Sequence, residues 1–163
     1  MAIDPGPVVS ALVVLVGGNP VELLLDRNEL VLARLRCVAM KRDLHLVVEG
    51  IASYGMAVGA SVFETCEWGG RFIEAWDAGG GPWSKLYRRE VKLELCGSAR
   101  AKDANVRQAL IDLYGGAEGK SKAVGTKKSP GPLYGVKKDL WAALAVGVTW
   151  ERLEARGEAR GEG

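Results

Sequence analysis

The chain opens on a short apolar run, Met1-Ala2-Ile3, that stops at Asp4 and the breaker Pro5-Gly6-Pro7. Residues 8–16 are dense in valine and leucine and read as a strand. Gly17-Gly18-Asn19-Pro20 is a turn signal, and residues 21–25 return as a second strand, which predicts a hairpin. Asn28 is placed to cap a helix running to about Lys41, with Val31, Leu35 and Val38 on one face. Residues 44–48 form a compact apolar strand that ends at an acid, Glu49. Helical spacing resumes over 56–78, with Val62, Cys66, Phe72, Ile73 and Trp76 as apolar members; Gly55, Gly59, Gly69 and Gly70 lower its intrinsic propensity. Gly79-Gly80-Gly81-Pro82 closes it, 85–88 is a short strand, and 89–96 fits helix and strand alike. A helix over 103–114 turns Val106, Ala109, Leu110 and Leu113 inward, and an alanine-rich helix from 138 or 139 to Trp150 follows a stretch rich in Lys, Gly and Pro. This order predicts an α/β domain over 1–151, a mixed five-stranded sheet with helices on both faces, and a charged, flexible tail over 152–163. The pattern does not give the strand order.

Composition narrows the classes. The 163 residues are 48% hydrophobic, enough for one ordinary core. No apolar run reaches the roughly eighteen residues of a membrane span, and the start lacks a signal-peptide pattern, so a cytoplasmic protein is expected. Cys37, Cys66 and Cys96 form no CxxC pair and are expected as core thiols, and His45 is the single histidine, which leaves little material for a zinc site or a Ser-His-Asp triad. The net charge of +2 says little, but its distribution says more: Lys120, Lys122, Lys127, Lys128, Lys137 and Lys138 fall in one stretch without an acid. Such a stretch tracks a polyanion or is a solvated loop, and Pro130, Gly131, Pro132 and Tyr134 give it the look of a shaped loop.

Three acids stand at element ends: Asp4 after the first apolar run, Glu49 at the end of the 44–48 strand, and Asp139 at the start of the last helix. Strand ends and helix starts converge at the edge of an α/β sheet, where clustered carboxylates suit magnesium and phosphodiester chemistry. Each acid also has a plain structural role open to it, Asp4 as a turn residue, Glu49 as a surface acid and Asp139 as a helix cap.

Four blocks of sequence bear on that choice. Ala2-Ile3-Asp4-Pro5-Gly6-Pro7 resembles the opening I-D-P-G motif of RuvC-type Holliday junction resolvases, within the ribonuclease H-like superfamily. Leu46-Val47-Val48-Glu49 is similar to that family's glutamate-bearing strand. Val91-Lys92 followed by Gly97-Ser98-Ala99-Arg100-Ala101-Lys102 resembles its V-K…G-x-x-x-x-K segment. Asp139-Leu140-Trp141-Ala142-Ala143-Leu144-Ala145-Val146 resembles its C-terminal D-x-x-D-A-L-A motif. The blocks occur in family order from Met1 to about Trp150. One place departs: where the family carries a second acid on the last helix, this chain has Ala142.

The resemblance implies a ribonuclease H-like fold and a metal-dependent endonuclease for branched DNA, leaving a 5′-phosphate and a 3′-hydroxyl. It implies Asp4, Glu49 and Asp139 as ligands of Mg2+, with Mn2+ able to substitute, and Lys92 and Lys102 near the scissile phosphate. Arg100, Lys120, Lys122, Lys127 and Lys128 become backbone contacts, and Tyr54 and Met56, just after the glutamate, become candidates to stack on bases near the branch point. Tyr54-Gly55-Met56-Ala57-Val58-Gly59 and the short chain resemble phage members more than bacterial ones. A four-way junction has two-fold symmetry, so a C2 homodimer is expected, with the 56–78 helix as its face. Trp68 and Trp76 belong to the core or to that interface, and Trp141 and Trp150 pack the last helix on the sheet. Three other readings remain: a ribonuclease H-like nuclease acting on flaps or RNA–DNA hybrids, a junction-binding protein whose catalysis lapsed with the acid at 142, and, more distantly, an actin-like phosphotransferase.

Overall fold

The computed structural model describes residues 1–39, 43–53, 55 and 57–157. Five strands, β1 (Ala2–Asp4), β2 (Val9–Val16), β3 (Asn19–Arg27), β4 (Leu46–Gly50) and β5 (Trp83–Tyr87), form one sheet in the order β3-β2-β1-β4-β5. The pairs β3–β2 and β2–β1 are antiparallel, while β1–β4 and β4–β5 are parallel. The hairpin forms as expected because Gly17 and Gly18 adopt φ of 56° and 80°, the two left-handed positions that match the twist of the strands. Pro20 is tolerated because β3 is an edge strand.

Period-two alternation divides the core. Ala2, Ala11, Val13, Leu15, Val47 and Leu86 face one side, where α3 (Arg88–Cys96), α4 (Asp103–Gly115), the single-turn α5 (Lys120–Ala123) and α6 (Leu140–Ala155) cover them. Ile3, Leu12, Val14, Leu46 and Val48 face the other, under α1 (Asn28–Val38) and α2 (Ala60–Asp77). Helices therefore lie on both faces of the mixed sheet. The last helix carries eight buried residues between Leu140 and Thr149, so it sits over the middle of the sheet. No helix among the described residues is long and apolar enough to cross a membrane.

Several expectations are corrected. Asn28 is the first residue of α1, not its cap; its side chain is fully buried and used elsewhere. The segment 89–96 is helical, with Gly97 at φ 66° as its left-handed stop. Leu113 is exposed and Ile111 takes its inward place, since α4 packs on a face one position round from the one expected. Cys37 and Cys66 are exposed and Cys96 half-buried, so these thiols are not core residues: the inward positions beside them belong to Leu35, Val38, Thr65 and Gly69. The last helix continues past Trp150 to Ala155, and Arg156 donates to both Glu94 oxygens at 3.0 and 2.7 Å, which ties the start of the expected tail to α3. Trp76 is a core residue, whereas Trp68 lies half-buried under the Arg71 guanidinium. Trp150 stacks on His45 at 4.3 Å and Trp141 carries Arg107 at 4.7 Å, and both pack against the α6 side of the core.

Candidate active site

Register brings the first two acids together. In the parallel pair, Ala2 lies opposite Val47 and Ile3 opposite Val48, so one step further sets Asp4 beside Glu49. Both share the parity of Ala2 and Val47 and point to the side covered by α3 and α6. They stand at the carboxyl ends of adjacent parallel strands, where open α/β sheets bind ligands.

The turn after Asp4 is built by three residues. A side chain at Gly6 would meet the Val9 carbonyl oxygen at 2.2 Å, so only glycine lets the chain fold back this tightly. The Gly6 N–H donates to Ser10 Oγ at 3.1 Å, and the Gly6 carbonyl accepts from Asn28 Nδ2 at 2.9 Å. Ser10 Oγ in turn donates to Asn28 Oδ1 at 2.6 Å, in the buried interior. A polar staple from β2 and α1 thus fixes the Asp4-Pro5-Gly6 turn, with every partner satisfied.

Asp4 and Glu49 are costly as a pair. The two carboxyls are within hydrogen-bonding reach of each other. Burial, then the charges of Glu49 and Asp139, push the Asp4 carboxyl up to about 8 against the pull of Arg88. Glu49, with its side chain only 10% exposed, is also raised by burial, and Arg88 opposes that rise.

Asp139 arrives from the opposite direction. It stands exposed in the N-cap position of α6, makes no capping hydrogen bond, and its charge is felt at Asp4. Lys138 before it has φ 47°, the one left-handed non-glycine among the described residues, a strain that costs on the order of 1 kcal/mol. Ala142 sits half-buried on the first turn of α6. Among the described residues, no three acids, histidines or cysteines stand close enough together to hold a metal ion as they are. Asp4 and Glu49 are together, and Asp139 faces them at longer range.

The sequence reading missed two members. Arg88, the first residue of α3, lies 3.7 Å from Glu49 Oε1 through Nη1 and donates from Nη2 to Asp103 Oδ1 at 2.7 Å. Its Nη1 is buried without a hydrogen-bond partner. Burial works against the charge on Arg88, and the carboxylates of Glu49 and Asp103 outweigh it. Asp103 opens α4 and also pairs with Lys92 Nζ at 3.4 Å. No signal in the sequence marked Arg88: that it follows the strand beside the one carrying Glu49 is visible only in the sheet order.

Lys92 lies one turn along α3 from Arg88 and is close enough to act on Glu49, so it belongs to the rim. Lys102 precedes α4 and Arg100 lies on the loop before it; both are exposed, and among the described residues neither forms an ion pair with Asp4, Glu49 or Asp139. The stretch 119–138 is a shaped loop, as expected. Leu133 and Ala123 are fully buried, Leu133 N–H donates to the Ala123 carbonyl at 2.7 Å and Gly131 N–H to that of Val124 at 3.0 Å. Lys127 and Lys128 protrude from a tight turn closed between Thr126 and Ser129, while Lys120 and Lys122 ride on α5, Lys122 paired with Glu118 at 3.3 Å. Tyr54 and Met56 lie outside the described residues.

A cavity of about 210 Å³ is lined by Asp4, Glu49, Arg88 and the chain following β4. It shares Pro5, Glu49, Gly50 and Ile51 with a second of about 160 Å³ that extends to Thr65 and Gly69 of α2, Lys85 and Tyr87. Together they form a groove along the sheet edge that passes both acids.

A β3-β2-β1-β4-β5 sheet covered on both faces, with acids at the ends of β1 and β4, defines a ribonuclease H-like α/β fold. Solved structures agree. RuvC from Thermus thermophilus is similar over 98% of this chain and 97% of its own, with a TM-score of 0.61 at 18% identity. RuvC from T. thermophilus in complex with a Holliday junction substrate gives a TM-score of 0.63 at 18% identity, over 98% of this chain and 96% of that one. The likeness is one of fold. No protein-family model matches the chain, and no curated protein matches it by sequence.

Proposed function

We propose that this protein is a divalent-metal-dependent endonuclease of branched DNA that resolves four-way junctions. The observation that carries the reading is the register-paired Asp4 and Glu49 at the carboxyl edge of a RuvC-like sheet, with Asp139 opposite. Two buried carboxyls that share a hydrogen bond need a proton or a cation between them, and oxygen donors of this kind suit Mg2+ or Mn2+. The donor set fits: Asp4 and Glu49 would hold the ion, and Asp139 would complete the protein's share once drawn in. Bound there, it would supply Lewis-acid activation of water and charge stabilisation in phosphodiester hydrolysis.

The chain's own residues supply the rest. Lys92, on the rim, faces the charge that develops on the phosphorus oxygens. Lys102 and Arg100, exposed at the start of α4, meet the flanking backbone. Lys120, Lys122, Lys127 and Lys128 hold the duplex by sequence-independent phosphate contacts. Tyr54 and Met56 are proposed to probe the branch point. A C2 homodimer through α2 would offer two sites to a two-fold substrate, and Phe63, 59% exposed on that helix, supports the choice of face. The 54–59 segment favours a phage-type member, working in the cytoplasm of the infected cell.

A second reading has its own support. Ala142 leaves the last helix without its second acid, and Asp139 stands apart from the Asp4–Glu49 pair, so a protein that binds junctions without cutting them is the alternative. A labelled synthetic four-way junction incubated with Mg2+ or EDTA, beside Asp4→Asn, separates them. Symmetric nicks that require Mg2+ and vanish in the variant establish the resolvase; tight binding without nicks, in Mg2+ and Mn2+ alike, establishes the binder.

A further inference from the structure

We propose that the Arg88 guanidinium is a resident cation of the carboxylate site, standing in charge for a second divalent ion, so that the site takes one metal ion rather than two. The inference rests on the nuclease reading above and specifies how its site is charged.

Three observations carry it. The first is placement: Arg88 lines the same cavity as Asp4 and Glu49, with Nη1 3.7 Å from Glu49. The second is how it is held. Asp103 grips Nη2 at 2.7 Å from the start of α4, which leaves Nη1 beside Glu49, buried and without a hydrogen bond. A buried donor left unpaired is expensive unless a substrate or ligand oxygen completes it, and a guanidinium suits a phosphodiester oxygen by charge and by planar geometry. The third is the charge balance. Asp103 and Lys92 neutralise each other at 3.4 Å. Fully ionised, as a bound cation would require, Asp4, Glu49 and Asp139 then face one guanidinium, which leaves two negative charges, the charge of a single divalent ion. An acid at position 142 with no arginine at 88 would leave four, enough for two ions.

Arginine suits this role because it stays protonated at every working pH, and its partner Glu49, only 10% exposed, is little screened by water. In the metal-free protein it offsets part of the Asp4–Glu49 repulsion. With one ion bound, Nη1 is free to donate to the phosphodiester.

The test counts ions and does not depend on cleavage. Mn2+ is titrated into the purified protein without DNA, with heat and the electron-spin signal of free Mn2+ as readouts. The variants are Arg88→Gln, Arg88→Lys, Ala142→Asp with Arg88→Gln, and Glu49→Gln as the site control; thermal melts check that each is folded. One ion in the wild type, one bound about tenfold more tightly in Arg88→Gln, wild-type behaviour in Arg88→Lys and two ions in the double variant are expected. If the double variant does not fold, the wild-type count and the Arg88→Gln affinity decide alone. Two ions in the wild type, or an unchanged affinity in Arg88→Gln, overturns the assignment and leaves the nuclease reading standing. No Mn2+ bound beyond the Glu49→Gln level overturns both.

Discussion

Replacing Asp4 with asparagine keeps the side-chain shape and removes one charge from a buried pair. Asp4 is held up to about 8, from an ordinary 3.8, mainly by burial and next by Glu49. A carboxyl raised on folding contributes stability that is complete below its unfolded pKa and is lost as pH rises through the folded one. The metal-free wild type therefore loses stability between about pH 4 and pH 8, at no more than about 1.4 kcal/mol per pH unit for one proton. From pH 5 to pH 8 the ceiling is about 4 kcal/mol; solvent screening of a carboxyl that is not fully buried brings it to about 2 kcal/mol. For a chain of this length that is about 4–8 °C in Tm. The variant lacks the titration, so its Tm in EDTA should exceed the wild type's by a margin that is small at pH 5, grows to pH 8 and then levels. Millimolar Mg2+ should reverse the order, because an ion at a hundred times its Kd adds about 2.7 kcal/mol to the wild type and little to the variant. Melts by circular dichroism at three pH values, with and without Mg2+, are sufficient. Parallel pH profiles in EDTA for the two proteins would refute the buried-pair argument.

Two further outcomes follow from the same geometry. Asn28→Ala strands the Ser10 hydroxyl and the Gly6 carbonyl in the interior, so a loss of about 2–3 kcal/mol in chemical denaturation is expected, together with junction cleavage reduced beyond what the unfolded fraction explains; a Tm within 1 °C of wild type, as an error margin of about that size allows, would count against the staple. Lys127→Ala with Lys128→Ala, both on an exposed turn, should leave the melt unchanged and lower the slope of log affinity against log salt by about 1–2, at about 0.9 per lost phosphate contact; an unchanged slope would remove these lysines from the interface.

Local pattern carried much of the architecture. The Gly17-Gly18 hairpin, the alternating strand faces and the inward positions Val31, Leu35 and Val38 were legible because each depends on neighbours a few residues away. Asp4, Glu49 and Asp139 stood out as candidates because an acid at the end of an apolar element is conspicuous, and the family resemblance favoured a site over a turn residue, a surface acid and a helix cap. The exposed cysteines, the outward Leu113 and the helical 89–96 segment were not, because which face of a helix is buried is settled by the surface it meets.

By itself, the sequence determined that this is an α/β chain, where its acids fall relative to element ends, and that its lysines gather in one shaped loop. Only the tertiary structure decided that β1 pairs in parallel with β4, which sets Asp4 beside Glu49. It also decided that α3 brings Arg88 onto that pair, that Asp103 clamps it from α4, and that Asn28 reaches across from α1 to hold the turn. The physical reason is range. Side-chain periodicity is a property of consecutive residues, whereas charge pairing in a buried cleft depends on strand order and register, which residues distant in the chain fix together.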